Sequence, residues 1–206
     1  MKTLFTLMLI VLTLSSATHS QVLRGYGIKA GVTVADQDWH YPFNWDPDNR
    51  TGFNAGVFAE FLNHPFFSVV TELNYVQKGM MQEVLITTEE YPEGTKYMTW
   101  ENRIDYLNVS ALAKLRLNYG IVKPYLLAGP KIDFEIGKHL MPYENVPKRF
   151  PASIYGFKVG LGTELNLMGI NFLAEFVYDS DLKDLYKSEF LTVNSKSYEM
   201  RLGILL

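Results

Sequence analysis

Three groups of residues in this chain have the types and spacing to do chemistry. The first is a set of charges that recur at alternate positions in otherwise apolar segments: Lys29, Glu60, Glu72, Lys78, Lys114, Arg116, Lys131, Asp133, Glu135, Lys158, Glu164, Glu175, Glu199 and Arg201. Basic and acidic members are equal in number. Such groups can pair as a buried ionic network or line a narrow proton or ion path. The second is the stretch from Asp36 to Arg50, where Trp39, Tyr41, Phe43 and Trp45 lie among Asp36, Asp38, Asp46 and Asp48. Clustered aromatics suit a contact patch, and clustered carboxylates suit Ca²⁺. Pro47 interrupts the acidic pairs and the EF-hand pattern is not met, so no metal is assigned. The third is the histidines His40, His64 and His139, the base of any hydrolytic triad with a nearby carboxylate. No G-x-S-x-G context accompanies them, and His64 falls in a short turn away from the other two. The reading is non-enzymatic, with no catalytic residue and no cofactor.

The elements that must position these groups read as strands, because apolar residues recur with period two. Tyr26, Ile28, Ala30, Val32 and Val34 share one face of the first strand, opposite Gly27, Lys29, Gly31 and Thr33. Seven more segments follow the same rule: Thr51–Phe61, Phe67–Lys78, Arg103–Leu117, Val122–Ile136, Ile154–Leu167, Ile170–Tyr178 and Ser195–Leu206. Their connections alternate strictly. Leu62–Phe66, Asn118–Ile121 and Met168–Gly169 are short; Ala35–Arg50, Gly79–Asn102, Gly137–Ser153 and Asp179–Asn194 are long. In an up-and-down antiparallel barrel this puts every tight turn at one end and every long loop at the other. Several strands exceed the roughly 9–11 residues that cross a bilayer at a tilt. The expected fold is all-β, an eight-stranded antiparallel up-and-down transmembrane β-barrel, closed by pairing of the first and last strands.

Alternation alone does not say which face points out. A lipocalin-like soluble barrel would bury the apolar face around a ligand. Three features favour the inverted arrangement. The polar face mixes Gly, Ser and Asn with long charged residues, as filling a narrow lumen requires. Its charges balance, as burial requires. Tyr and Phe recur near strand ends on the apolar face, as interfacial girdles do. With the lumen filled by side chains, the fourteen charges read as a structural salt-bridge network. The aromatic stretch reads as a rim seated at the headgroups, with a contact patch as its alternative.

The first twenty residues read as an address. Met1-Lys2-Thr3 supplies one positive charge, Leu4–Leu14 is apolar except for two Thr, and Ser15–Ser20 is small and polar. This is the layout of a secretory signal peptide, with cleavage after Ser20 and a barrel domain over 21–206. The apolar run is too short to span about 30 Å of hydrocarbon as a helix. The chain has no Cys, which excludes disulfides, thiol nucleophiles and a lipidated junction. Without Lys2 it carries 18 basic and 22 acidic residues, a net −4, so a nucleic-acid partner is excluded.

Several motifs together resemble the PorT-like outer-membrane β-barrel family of Gram-negative bacteria. Gly27-Ile-Lys-Ala-Gly31 resembles its first strand, and Glu72-Leu-Asn-Tyr-Val-Gln-Lys-Gly79 its E-L-x-Y-x-x-K-G strand and turn. Tyr106-Leu-Asn-Val with Lys114, Pro124-Tyr-Leu-Leu-Ala-Gly-Pro130, Gly160-Leu-Gly-Thr-Glu164 and Glu175-Phe-Val-Tyr178 resemble later strands. Ser110 stands where the family usually has Pro. Leu206 ends the chain where many such barrels end in an aromatic, which weakens the usual insertion signal. The resemblance implies an outer-membrane location, with lipid and other envelope proteins as partners. One branch of the family is an accessory factor in protein secretion. The expected role is structural or surface-interaction through the long loops; an accessory subunit of a secretion or transport complex is the alternative. Mass spectrometry of the protein from the outer-membrane fraction should show a chain beginning at Gln21; one retaining Met1 would contradict the leader assignment.

Overall fold

The computed structural model describes residues 22–40, 47–62, 64–88, 91–139, 152–187 and 192–206. The leader assigned to 1–20 lies outside them. The described residues form nine strands: β1 Leu23–His40, β2 Asp48–Phe61, β3 Phe67–Thr88, β4 Tyr91–Arg116, β5 Val122–His139, β6 Ser153–Leu167, β7 Ile170–Asp181, β8 Tyr186–Lys187 and β9 Thr192–Leu205. Eight of them close a ring in the order β1-β2-β3-β4-β5-β6-β7-β9, every pair antiparallel, with β9 returning to β1. Closure runs from Gly27 opposite Leu205 to His40 opposite Thr192. The two-residue β8 is an appendage paired to β9 through Tyr186 and Val193.

The apolar face points outward. Ile28 is 62% exposed, Leu126 59%, Leu161 59% and Leu202 70%. The alternate residues, Lys29, Lys131, Lys158 and Arg201 among them, are buried in the lumen. A lipocalin-like arrangement needs the reverse, and the exposure of these aliphatic side chains rules it out. Outward aromatics gather toward the long-loop end of β6, β7 and β9. Phe157 packs edge-on to Tyr178, which lies 5.3 Å from Tyr198, itself stacked on Phe176. Just beyond them the outward face turns charged: Lys196 pairs with Asp36 and Asp38. Charges facing lipid are costly at mid-depth and cheap at the interface, so this triad marks the edge of the apolar band. The two carboxylates, both hydrogen-bonded to Lys196, hold its ammonium above the usual lysine range.

The tight turns follow from local chemistry. Met168 and Gly169 both have positive φ, 53° and 87°, the requirement of a two-residue hairpin turn whose twist matches the strands. The long-loop end differs from the expectation. Gly79–Asn102 is mostly not loop: β3 continues to Thr88 and β4 starts at Tyr91, in continuous register from Met81–Glu101 to Ile86–Lys96. β1 likewise continues through Ala35–His40, and Asp179–Asp181 belongs to β7. Beyond the barrel wall a ribbon meets water on both faces, so nothing imposes the alternation by which strands are read.

Lumen glycines make room for large neighbours. Phe58 lies across Gly27 and Tyr125 across Gly162; a Cβ at either glycine would stand 2.6–2.7 Å from the ring. Overpacking of this kind costs about 1–3 kcal/mol. Gly162→Val should therefore lower the yield of folded barrel after refolding in detergent, read as the heat-resistant fraction on a gel. A wild-type yield would show that Tyr125 does not fill this space.

Candidate functional site: the charged lumen and the long-loop end

Within each strand the inward positions fall into successive levels along the lumen. At the tight-turn end Glu60 and Glu164, both fully buried, collect the basic side chains. Arg24 reaches both carboxylates, Glu60 at 2.6 Å. Lys114 lies 3.1 and 3.3 Å from them, and Arg116 lies 3.3 Å from Glu60. Ser68 donates a 2.6 Å hydrogen bond to Glu60.

Above this lies an apolar plug in which Phe58, Val70, Leu112, Tyr125, Leu127, Leu173 and Leu205 pack together. Lys29 stands over the Phe58 ring and Lys114 over the Tyr125 ring, at 4.4 and 4.1 Å. Cations over aromatic faces are attracted by the ring quadrupole, which ties the plug to the charges on either side.

At the middle level three basic and three acidic side chains interlock. Arg201 donates both terminal nitrogens to Glu72, at 2.9 and 3.3 Å, and reaches Glu175 at 2.6 Å. Lys29 bridges the same two carboxylates at 2.7 Å each. The Tyr125 hydroxyl donates to Glu175 at 2.7 Å. Lys158 and Arg201 share Glu199 at 3.1 and 3.4 Å.

Toward the long loops Lys78 lies 3.0 Å from Asp133 and 3.1 Å from Asp179. Lys131 pairs with Asp133, Asp179 and Asp181. These three carboxylates lie within 4.8 Å of one another, a spacing that would suit a cation, and the two lysine ammonium groups supply it. A second apolar group, Ile104, Tyr106, Ile154, Leu185 and Val193, packs near the long-loop end.

Thirteen of the fourteen charges expected in the lumen stand in these levels. Glu135 does not; it pairs with Lys138 at 2.8 Å, where both side chains are partly exposed. Sequence reasoning missed Arg24, Asp179 and Asp181. Asp179 and Asp181 simply continue the period of Glu175 and Val177, a legible signal. Arg24 sits at the bulge between Leu23 and Gly25, where the phase slips and alternation misleads. Also missed were the inward apolar residues of the two plugs, because Leu127 beside Leu126 or Leu112 between two alanines breaks no apolar pattern.

The aromatic stretch is placed only in part. Trp39 belongs to β1, its backbone opposite Val193. Tyr41, Phe43 and Trp45 lie outside the described residues, as does Asp46. Of the histidines, His40 and His139 end β1 and β5 at the long-loop end. His64 lies in a tight turn at the other end, its Nδ1 accepting from the Phe66 amide. The three are not brought together.

A closed antiparallel ring with an apolar exterior and an ion-paired interior defines a transmembrane β-barrel. The chain belongs to the outer membrane protein β-barrel domain family, whose model matches residues 20–187, and its location is the outer membrane. Neisserial surface protein A is 14% identical over 89% of this chain and 97% of that one, with a TM-score of 0.52. The outer membrane protein OprG from Pseudomonas aeruginosa is 12% identical over 89% of this chain and 97% of that one, with a TM-score of 0.53. At these identities the likeness speaks for the fold alone. No curated protein matches the sequence.

Removing one partner of a buried ion pair strands the other, at a cost of about 3–5 kcal/mol. Arg201→Met should lower the urea midpoint of the refolded barrel accordingly. Lys196→Met, at the partly exposed rim, should leave it nearly unchanged. Equal midpoints for both variants would show that the middle level contributes nothing to stability.

Proposed function

We propose that this is a non-enzymatic outer-membrane barrel that acts by contact through its long-loop end, after removal of residues 1–20. One observation carries the reading: the β3–β4 hairpin continues past the barrel wall. The last ladder of β2 on β3 is Asp48 opposite Met81, and that of β5 on β4 is Arg103 opposite His139. Beyond these, the backbone ladder of residues 82–88 is with residues 91–100 alone among the described residues. Among the described residues no further strand adds to either edge of 82–88 and 91–99, and a ribbon edge of this kind is the template on which another chain adds as a strand. Leu85, Tyr97 and Met98 are exposed on it, Tyr97 to 72%. The lumen, blocked by two apolar groups and filled by paired charges, offers little for a substrate or solute, which supports the contact role over a pore.

The long loops face outward and the tight turns face the periplasm in this reading. The motifs that resemble PorT-like barrels support placing the chain in that family, none of them singles out its secretion branch, and an accessory role in a secretion or transport complex is the second reading. Crosslinking from the ribbon separates the two: a stoichiometric partner in the outer-membrane fraction supports the accessory subunit, and its absence supports a free-standing surface protein.

The absence of Cys makes orientation directly testable. A Tyr97→Cys variant should react with a membrane-impermeant maleimide on intact cells. Tyr119→Cys, in a tight turn and 72% exposed, should react only after the outer membrane is permeabilised. The opposite pattern would invert the proposed orientation and remove the ribbon from the cell surface.

A further inference from the structure

The charge balance of the lumen holds for the whole but not level by level. The middle level is even: Lys29, Lys158 and Arg201 meet Glu72, Glu175 and Glu199. Near the long loops three aspartates meet Lys78 and Lys131. At the tight-turn end the excess is positive. Glu60 and Glu164 are shared by Arg24, Lys114 and Arg116, and Lys123 stands 4.0 Å from Glu164. No Asp or Glu occurs in the three tight turns, 62–66, 118–121 and 168–169, or in residues 1–25.

This positive excess borders a cavity. A cleft of about 250 Å³ opens between the first two tight turns, lined by Arg24, His64, Pro65, Arg116, Asn118 and Lys123. The Arg116 side chain is 5% exposed. It donates one terminal nitrogen to the His64 carbonyl at 3.2 Å, and its Nε has no hydrogen-bond partner. A buried guanidinium with an unused donor is costly, and Arg24, Lys114, Arg116 and Lys123 share only the two carboxylates of Glu60 and Glu164, which leaves an excess of positive charge that a further anion would offset. Arginine forks and a lysine ammonium on a common cleft suit the oxygens of a phosphate group.

We infer that the cleft at the tight-turn mouth, between Arg24, Arg116, Lys123 and His64, is a binding site for a phosphate group. The group is supplied either by a free phosphate compound or by a phospholipid headgroup at the barrel rim. The site is independent of the contact role of the ribbon; only its description as periplasmic rests on the proposed orientation.

The test is calorimetric titration of the refolded mature chain in neutral maltoside micelles, with pyrophosphate as one probe and short-chain phosphatidylglycerol as the other. Chloride at matched ionic strength is the control. Saturable binding above the chloride control is expected, weakened about tenfold in Lys123→Gln, the loss of one charge-assisted contact. Arg116→Gln should weaken it similarly, and Lys123→Gln keeps the test valid if the arginine variant fails to refold. Lys196→Gln, at the opposite end, should bind as wild type. Tighter binding of pyrophosphate identifies a free phosphate compound as the source, and tighter binding of the lipid identifies the headgroup. No saturable binding of either probe, or binding unchanged in Lys123→Gln, would overturn the inference.

Discussion

Inside a bilayer no water is available to the backbone, so every N–H and C=O must find a protein partner. A sheet meets that demand only when it has no edge. The pairing of β1 with β9, Gly27 opposite Leu205 through His40 opposite Thr192, is therefore the contact on which the rest of this structure depends. Once the ring closes, each strand within the wall has one face in lipid and one in the lumen, and parity commits its side chains to one or the other. Ile28 and Lys29 are neighbours in sequence and stand in opposite solvents.

The lumen then has to be filled. Its charges are too costly to bury singly, and the structure shows them shared. Arg201 is held by Glu72, Glu175 and Glu199, and Lys131 by Asp133, Asp179 and Asp181. Such sharing joins strands distant in sequence: Lys29 on β1 reaches Glu72 on β3 and Glu175 on β7. The ionic levels thus cross-brace the wall from within, while Phe58, Leu112 and Leu127 exclude water between them. In the proposed reading this filled and braced cylinder is a mount for the contact chemistry at its ends.

Most of the architecture was legible from parity. Strands, closure, the outward apolar face and nearly all lumen charges followed from period-two alternation and charge balance, because burial on one face imposes both. What escaped reading lies where that constraint lapses. The β3–β4 ribbon beyond Met81 meets water on both faces and so loses the pattern. Arg24 sits at a bulge that shifts the phase. The inward leucines of the plug, Leu112, Leu127 and Leu173, are apolar on a face expected to be polar, and nothing in a single sequence separates them from their lipid-facing neighbours. The tight-turn cleft was invisible for another reason: Arg24, His64 and the Arg116–Lys123 turn come from three places in the chain and meet only in the folded barrel.

Migration on an SDS gel tests the inverted, closed barrel most directly. Membranes from cells expressing the chain are extracted with salt and carbonate, and the pellet is run unboiled and boiled. The account predicts that the protein stays in the pellet and that its unboiled band migrates apart from the boiled one, because the closed ring survives the detergent. A protein released into the soluble fraction, with one band at one position under both conditions, would contradict it and return the apolar face to the inside.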